Sequence, residues 1–341
     1  MQDEFYIRRC IELAQKAIGN TYPNPLVGSV IVHNEKIIGE GYHHKAGEPH
    51  AEINAINSVK DKSLIPESTI YVSLEPCAHY GKTPPCALKI KELGFKKVVI
   101  GAMDSHDKVN GKGKKIIQDA GIEVVSGILE NECFELNKRF FTYHEKKRPY
   151  IILKWAESGD GFMDKDFKPT SISNILVNQF VHQLRANEHA ILVGTRTALN
   201  DNPSLTVRNV LGVNPVRILI DFDLKVPHNF SIYNNEAKTL VFNSVKQENK
   251  ENIHFITIEK ENFISGLMDA LYKEQIQSVI IEGGRFTLRQ FINANLWDEA
   301  IVIKNENLKL ENGTQAPKFD FTPCKTEAFR DNSIEFYKRE G

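Results

Sequence analysis

The stretch from His50 to Cys86 constrains this chain more than any other. It opens as Pro49-His50-Ala51-Glu52 and closes as Pro76-Cys77-Ala78-His79-Tyr80-Gly81-Lys82-Thr83-Pro84-Pro85-Cys86. One imidazole and two thiols, His50, Cys77 and Cys86, form the ligand set of a catalytic zinc that keeps its fourth position for water. Glu52, beside the imidazole but outside the ligand set, has the chemistry of a proton shuttle. A structural zinc would close its shell with a fourth protein ligand, and this stretch offers three plus a carboxylate.

The prolines say how such ligands could meet. Pro49 and the pair Pro84-Pro85 are helix-opening signals. Apolar residues at helical spacing follow each: Ile53, Ile56 and Val59 in one segment, Leu88, Ile90 and Leu93 in the other. Two helix N-termini would then face one metal, and their positive ends favour thiolates at Cys77 and Cys86. His50 and Glu52, two apart, cannot share a face in mid-helix, but at a helix start the geometry is looser. H-x-E followed by P-C-x-x-C is the mark of zinc deaminases acting on bases. Here the first half matches, and the second is stretched to eight residues between the cysteines.

At 341 residues the chain exceeds what one core usually serves, so two domains are expected. A net charge of -1 gives no overall attraction to nucleic acid or an anionic membrane, which points to small-molecule substrates. The cysteines, Cys10, Cys77, Cys86, Cys133 and Cys324, lack the spacing of a disulfide framework, as expected in a reducing compartment. With no apolar run of transmembrane length and no signal-peptide pattern at Met1-Gln2-Asp3-Glu4, a cytoplasmic protein is expected.

Apolar periodicity predicts a helix over 4–18, a hairpin from Val27–Val32 and Lys36–Tyr42, and strands at Thr69–Leu74 and Lys97–Ala102. Gly111-Lys112-Gly113-Lys114 opens a further helix, Ile122–Ile128 is a strand, and Glu130–Thr142 reads as one helix. The charged run Glu145-Lys146-Lys147-Arg148-Pro149 sets the boundary, giving domains 1–147 and 148–341. Beyond it, strands are expected at Tyr150–Lys154, Ala190–Val193, Val216–Ile220, Thr239–Phe242, His254–Ile258, Ser278–Ile281 and Glu299–Ile303. Alternating strands and helices indicate α/β sheets with helices on both faces.

Leu74 to Cys86, with Tyr22-Pro23-Asn24-Pro25-Leu26-Val27-Gly28 and the run Gly41 to Glu52, resembles the bifunctional deaminase-reductases of riboflavin biosynthesis. Later matches are Arg148 to Gly161, Leu184-Arg185-Ala186, Asn200 to Arg208 and Ile281-Glu282-Gly283-Gly284. The resemblance implies a cytidine-deaminase-like α/β/α domain followed by a dihydrofolate-reductase-like α/β domain. It implies hydrolytic deamination of 2,5-diamino-6-(5-phosphoribosylamino)pyrimidin-4-one with one zinc ion. NADPH would then reduce the ribosyl group of the deaminated product to ribityl.

By the same resemblance, Asn24 and His43 would contact the ring, while His79, Lys82 and Thr83 would lie around the phosphoribosyl group, with Asp104 a further substrate contact. Lys154, Asp201 and Glu282 would hold the sugar and assist proton movement, and Arg185 and Arg208, with Leu205 nearby, would clamp the 5-phosphate. Ala156, Ser171, Thr197, Asp201, Gly283 and Gly284 would contact the cofactor, and the protein would be a homo-oligomer. The chain departs from the family pattern mainly on that cofactor side: Thr170-Ser171-Ile172 lacks an indole, and Gly159, Phe222 and Arg285-Phe286 stand where other residues are usual. A second reading therefore keeps only the deaminase and makes the rest a binding or oligomerisation domain, against which Lys154, Asp201, Arg208 and Glu282 argue. A third, a polynucleotide deaminase, is opposed by the near-neutral charge and by the insert carrying His79 and Lys82.

Overall fold

Helices reach both faces of a five-stranded sheet in the first half because successive strand residues point to opposite sides and both sides are apolar. The computed structural model describes residues 2–80, 84–104 and 109–339. The chain divides into two units, Met1–Lys147 and Arg148–Gly341.

The first unit runs α1 (Gln2–Gln15), β1 (Gly28–His33), β2 (Lys36–Tyr42), α2 (Ala51–Ser58), β3 (Thr69–Leu74), α3 (Cys86–Leu93), β4 (Lys97–Ala102), α4 (Lys112–Gln118), β5 (Glu123–Ser126), α5 (Glu130–Leu136) and α6 (Lys138–Lys146). The strand order is β2-β1-β3-β4-β5, antiparallel through β3 and parallel from β3 to β5. Val30, Tyr71 and Val99 face α1 and the Phe140-Phe141 pair, whereas Ile31, Val72 and Ile100 face Ala55, Ala87 and Ile117 on the other helices. The expected hairpin forms on a two-residue turn in which Asn34 and Glu35 adopt φ of 45° and 62°.

Two features of this unit set up the site. Helix α2 lies directly on β2 because Gly39 and Gly41 carry no side chain there. A Cβ on Gly41 would stand 2.3 Å from the Ala55 backbone nitrogen, and one on Gly39 2.6 Å from the Ala55 carbonyl oxygen. The single helix expected over Glu130–Thr142 is in fact two, broken at Asn137. The buried Asn137 amide bonds both the backbone N–H and the carbonyl of Leu26, each at 2.8 Å. Asn137 itself sits at φ -108° and ψ 16°, off the α-helical backbone, where the two helices meet.

The second unit runs β6 (Tyr150–Ser158), α7 (Ile175–Asn187), β7 (Ala190–Gly194), α8 (Thr195–Asp201), β8 (Val216–Ile220), β9 (Thr239–Asn243), β10 (Glu248–Lys250), β11 (Ile253–Thr257), α9 (Phe263–Lys273), β12 (Ser278–Ile281), α10 (Arg285–Asn293), β13 (Glu299–Asn305), β14 (Lys325–Phe329) and β15 (Asn332–Lys338). Its ten strands are ordered β10-β11-β9-β8-β7-β12-β6-β13-β15-β14. The run from β11 to β13 is parallel, and antiparallel strands finish both edges. Strands β10, β14 and β15 were not expected from the sequence. The insertion of β12 between β7 and β6 makes a switch point, and a crevice opens at the carboxyl ends of such strands.

Replacing Gly41 by alanine should force α2 away from β2, since the atom it meets is rigid backbone. We expect Gly41→Ala to cost about 1–3 kcal/mol in urea unfolding. It should also lower the zinc content of the purified protein, because α2 begins beside His50.

Candidate active sites

His50 caps the start of α2 in an extended conformation, φ -70° and ψ 164°, and Cys86 is the first residue of α3. Cys77 follows the end of β3. The His50 Nδ1 atom lies 3.5 Å from the Cys77 sulfur and 3.4 Å from the Cys86 sulfur, and the three ligand atoms all fall within 4.8 Å of one another. Zinc bonds of about 2.3 Å to sulfur and 2.0–2.1 Å to nitrogen at a tetrahedral angle separate S from N by about 3.5 Å. The donor set therefore fits zinc in geometry as well as in chemistry.

Glu52, in the first turn of α2, is 3% exposed. Burial, with the Cys77 sulfur beside it, pushes its carboxyl up to about 7. Such a group both takes and gives a proton near neutrality. A hydrogen bond from Cys86, then one from His50, outweighs burial and holds the Cys77 thiol well below the ordinary thiol range.

The structure brings Asn24 and His43 together next to these ligands. The buried His43 ring donates from Nδ1 to the Pro49 carbonyl at 3.1 Å, since a carbonyl can only accept. Its Nε2 therefore accepts from the Asn24 amide nitrogen at 3.0 Å. The ring meets that of His50 edge-on, centroids 5.5 Å apart, and burial lowers its pKa. His79 is exposed, Asp104 is buried, and Lys82 and Thr83 lie outside the described residues.

Sequence reasoning missed Glu75. Its buried carboxylate accepts the backbone N–H groups of Asp104, Gly111 and Lys114 at 3.4, 3.0 and 3.0 Å. Gly113 closes on the same turn, where a Cβ would stand 1.9 Å from the Pro76 carbonyl oxygen. The helix start read at Gly111-Lys112-Gly113-Lys114 is thus the brace behind Cys77. The paired glycines were the available signal.

In the second unit Glu282 follows β12 directly. Its carboxylate takes Lys154 Nζ at 3.3 Å on one oxygen and Arg185 Nη2 at 2.9 Å on the other, with side chains only 10–13% exposed. Burial alone would raise this carboxyl, but Arg185 and then Lys154 hold it at about 2. The Arg185 Nε is buried and has no acceptor among the described residues.

Glu282 borders an open cleft of about 1360 Å³, also lined by Ser171, Thr197, Asp201, Gly283 and Gly284. This exceeds the roughly 300–1,000 Å³ of a drug-sized site and has room for a dinucleotide. Asp201 ends α8 and opens to solvent, yet enclosure of its carboxyl, followed by the charge of Asp164, raises its pKa. The Gly284 N–H donates to the Thr197 hydroxyl at 2.9 Å. Gly283 is required by packing, since its Cβ would lie 2.5 Å from that of Thr287. Phe222, Arg285 and Phe286, where the chain departs from the resembled pattern, line the same cleft.

Arg208 stands apart from the cleft lining. Its N–H donates to His182 Nδ1 at 3.2 Å and its Nη1 to the Thr206 hydroxyl at 3.1 Å. Ala156 and Leu205 pack into apolar layers of the sheet instead. His182 was not singled out from the sequence, although it lies one helical turn before Arg185.

A deaminase of the zinc type and a reductase of the dinucleotide type share this chain. Residues 1–102 match the family model of the cytidine and deoxycytidylate deaminase zinc-binding region, and residues 149–305 that of the RibD C-terminal domain. The chain belongs to the RibD family of riboflavin biosynthesis proteins, bifunctional deaminases and reductases. It is 39% identical to RibD of Aquifex aeolicus, covering 88% of this chain and 86% of that protein. It is 36% identical to RibD of Escherichia coli, covering 89% and 87%. Among solved structures, a diaminohydroxyphosphoribosylaminopyrimidine deaminase/5-amino-6-(5-phosphoribosylamino)uracil reductase of Thermotoga maritima superposes with a TM-score of 0.90 at 33% identity, covering 99% of this chain and 98% of that one. Acinetobacter baumannii RibD gives 0.88 at 32%, covering 98% of both. Nothing in these likenesses favours a deaminase alone. Among the described residues, no helix is long and apolar enough to cross a membrane.

Glu282 makes stability depend on acid in a defined direction. Its folded pKa of about 2 lies below the ordinary 4.5, so the unfolded chain binds the extra proton. The stabilisation, roughly 3 kcal/mol, is complete above that ordinary value and is lost as pH falls toward the folded one. The urea-unfolding gap between the parent and Glu282→Gln should be wide at about pH 6 and narrow steadily in acid. A gap unchanged down to about pH 3 refutes this assignment.

Proposed function

We propose that residues 1–147 deaminate 2,5-diamino-6-(5-phosphoribosylamino)pyrimidin-4-one and residues 148–341 reduce the ribosyl group of the product. The observation that carries the reading is the convergence of His50, Cys77 and Cys86 beside the buried Glu52. His50, Cys77 and Cys86 would hold zinc, which when bound supplies Lewis-acid activation of a water molecule. Glu52 accepts a proton from the attacking water on a carboxylate oxygen, passes it to the ring nitrogen, and assists departure of the amine as ammonia. Its burial beside the ligands keeps the exchanged proton out of bulk water. Asn24, oriented by His43, meets the ring edge, Asp104 is a further substrate contact, and His79, Lys82 and Thr83 are assigned to the phosphoribosyl group by the family resemblance.

In the second unit the cleft beside Glu282 would hold NADPH, which when bound supplies hydride. Lys154 Nζ, fixed by Glu282, donates a hydrogen bond to the sugar oxygen as the ring opens. Asp201, which lines the same cleft as Glu282, holds and returns the proton. Arg185 and Arg208 bind the 5-phosphate, to which guanidinium groups present paired donors. Ser171, Thr197, Gly283 and Gly284 are the cofactor contacts. The net charge of -1 supports small phosphorylated substrates rather than polynucleotides. A cytoplasmic homo-oligomer remains part of this reading.

Two variants test the assignment. Glu52→Gln should keep its zinc, measured by metal analysis, while ammonia release falls by at least about 100-fold. Lys154→Ala should abolish NADPH oxidation with the deaminated substrate and leave ammonia release intact. Oxidation surviving in Lys154→Ala would remove that residue from the chemistry.

A further inference from the structure

We propose that His182 is a positioning residue of the second site: its ring ties the segment 206–208 to helix α7, so that Arg208 and Arg185 form one clamp for a phosphate monoester dianion. The inference rests on the reading of Arg185 and Arg208 as phosphate ligands and names what assembles them.

His182 and Arg185 are i and i+3 on α7 and share a face. The imidazole is 6% exposed, and its Nδ1 accepts the Arg208 backbone N–H at 3.2 Å. An acceptor at Nδ1 leaves the proton on Nε2, which fixes the tautomer. Burial, followed by the charges of Arg185 and Arg208, lowers the His182 pKa and keeps the ring in this neutral, accepting form.

The segment it holds is anchored at other points too. Leu205 adopts a φ of 56° and buries its side chain under β7 and β8. The Val207 N–H donates to the Asn214 side chain at 2.8 Å, and the Thr206 hydroxyl accepts from Arg208 Nη1 at 3.1 Å. Leu205 fixes the segment against the sheet, the other two bonds hold its local shape, and the His182 bond links it to the helix that carries Arg185. Arg185 spends Nη2 on Glu282, while its buried Nε has no acceptor among the described residues. A buried guanidinium N–H without an acceptor is costly, and an anionic oxygen would satisfy it.

The test compares His182→Leu, which removes the acceptor, with His182→Asn, whose side-chain oxygen can occupy the place of Nδ1. Reductase KM and kcat are measured with the phosphorylated substrate and its dephosphorylated analogue, and ribose 5-phosphate is titrated as a competitive inhibitor. His182→Leu should raise KM for the phosphorylated substrate and the inhibition constant of ribose 5-phosphate by about tenfold, with a much smaller change in kcat. KM for the dephosphorylated analogue should hardly move, and His182→Asn should recover most of the loss. The thermal unfolding profile reports whether the variants are folded, and ammonia release by the first unit normalises for the amount of protein. If Arg208→Ala weakens ribose 5-phosphate while His182→Leu does not, the positioning role is wrong and the clamp stands. If Arg208→Ala leaves ribose 5-phosphate inhibition unchanged, the clamp itself is wrong.

Discussion

The first unit depends on how closely helix and loop backbones can approach one another. Three ligand atoms drawn from a helix cap, a loop and a second helix start fall within 4.8 Å only because the elements carrying them nearly touch. Gly39 and Gly41 let α2 rest on β2, and Gly113 lets the start of α4 close on Pro76. Glu75 then fastens that closure by accepting three backbone N–H groups. The catalytic stretch is therefore shaped from behind by residues that never touch the reacting atoms. Burial of Glu52 follows from the same compactness, and its raised pKa follows from burial.

The second unit solves a different problem, how to keep a carboxylate ionised out of water. Glu282 does so with a cation on each oxygen, one from β6 and one from α7. Removal of one partner from a buried ion pair typically costs about 3–5 kcal/mol. The arrangement also fixes Lys154 in the middle of β6, one residue past the Leu153–Ile281 pair that ends β12.

Legibility in the sequence followed the range of the interactions. His50, Glu52, Cys77 and Cys86 fall within one stretch and carry distinctive side chains, so their convergence could be argued from spacing and prolines alone. Lys154, Arg185, Asp201 and Glu282 come from segments far apart, and only resemblance grouped them. Glu75, Asn137 and His182 escaped because each bonds a distant backbone group, and a backbone amide looks the same in every residue. Asn137 reaches Leu26, 111 positions away, from the point where a segment with helical periodicity is cut in two. The hairpin of β14 and β15 escaped for another reason: Lys325-Thr326-Glu327-Ala328-Phe329 is an edge strand with charges where a buried strand would be apolar.

The Glu282 triad also bears on how this half of the chain can evolve. Its three members are charges held in one buried cluster, so a single substitution at any of them is penalised whether or not the reaction is under selection. Loss of this cluster by gradual drift would have to cross a folding barrier first, because only a coordinated replacement of all three by apolar residues avoids leaving a charge stranded.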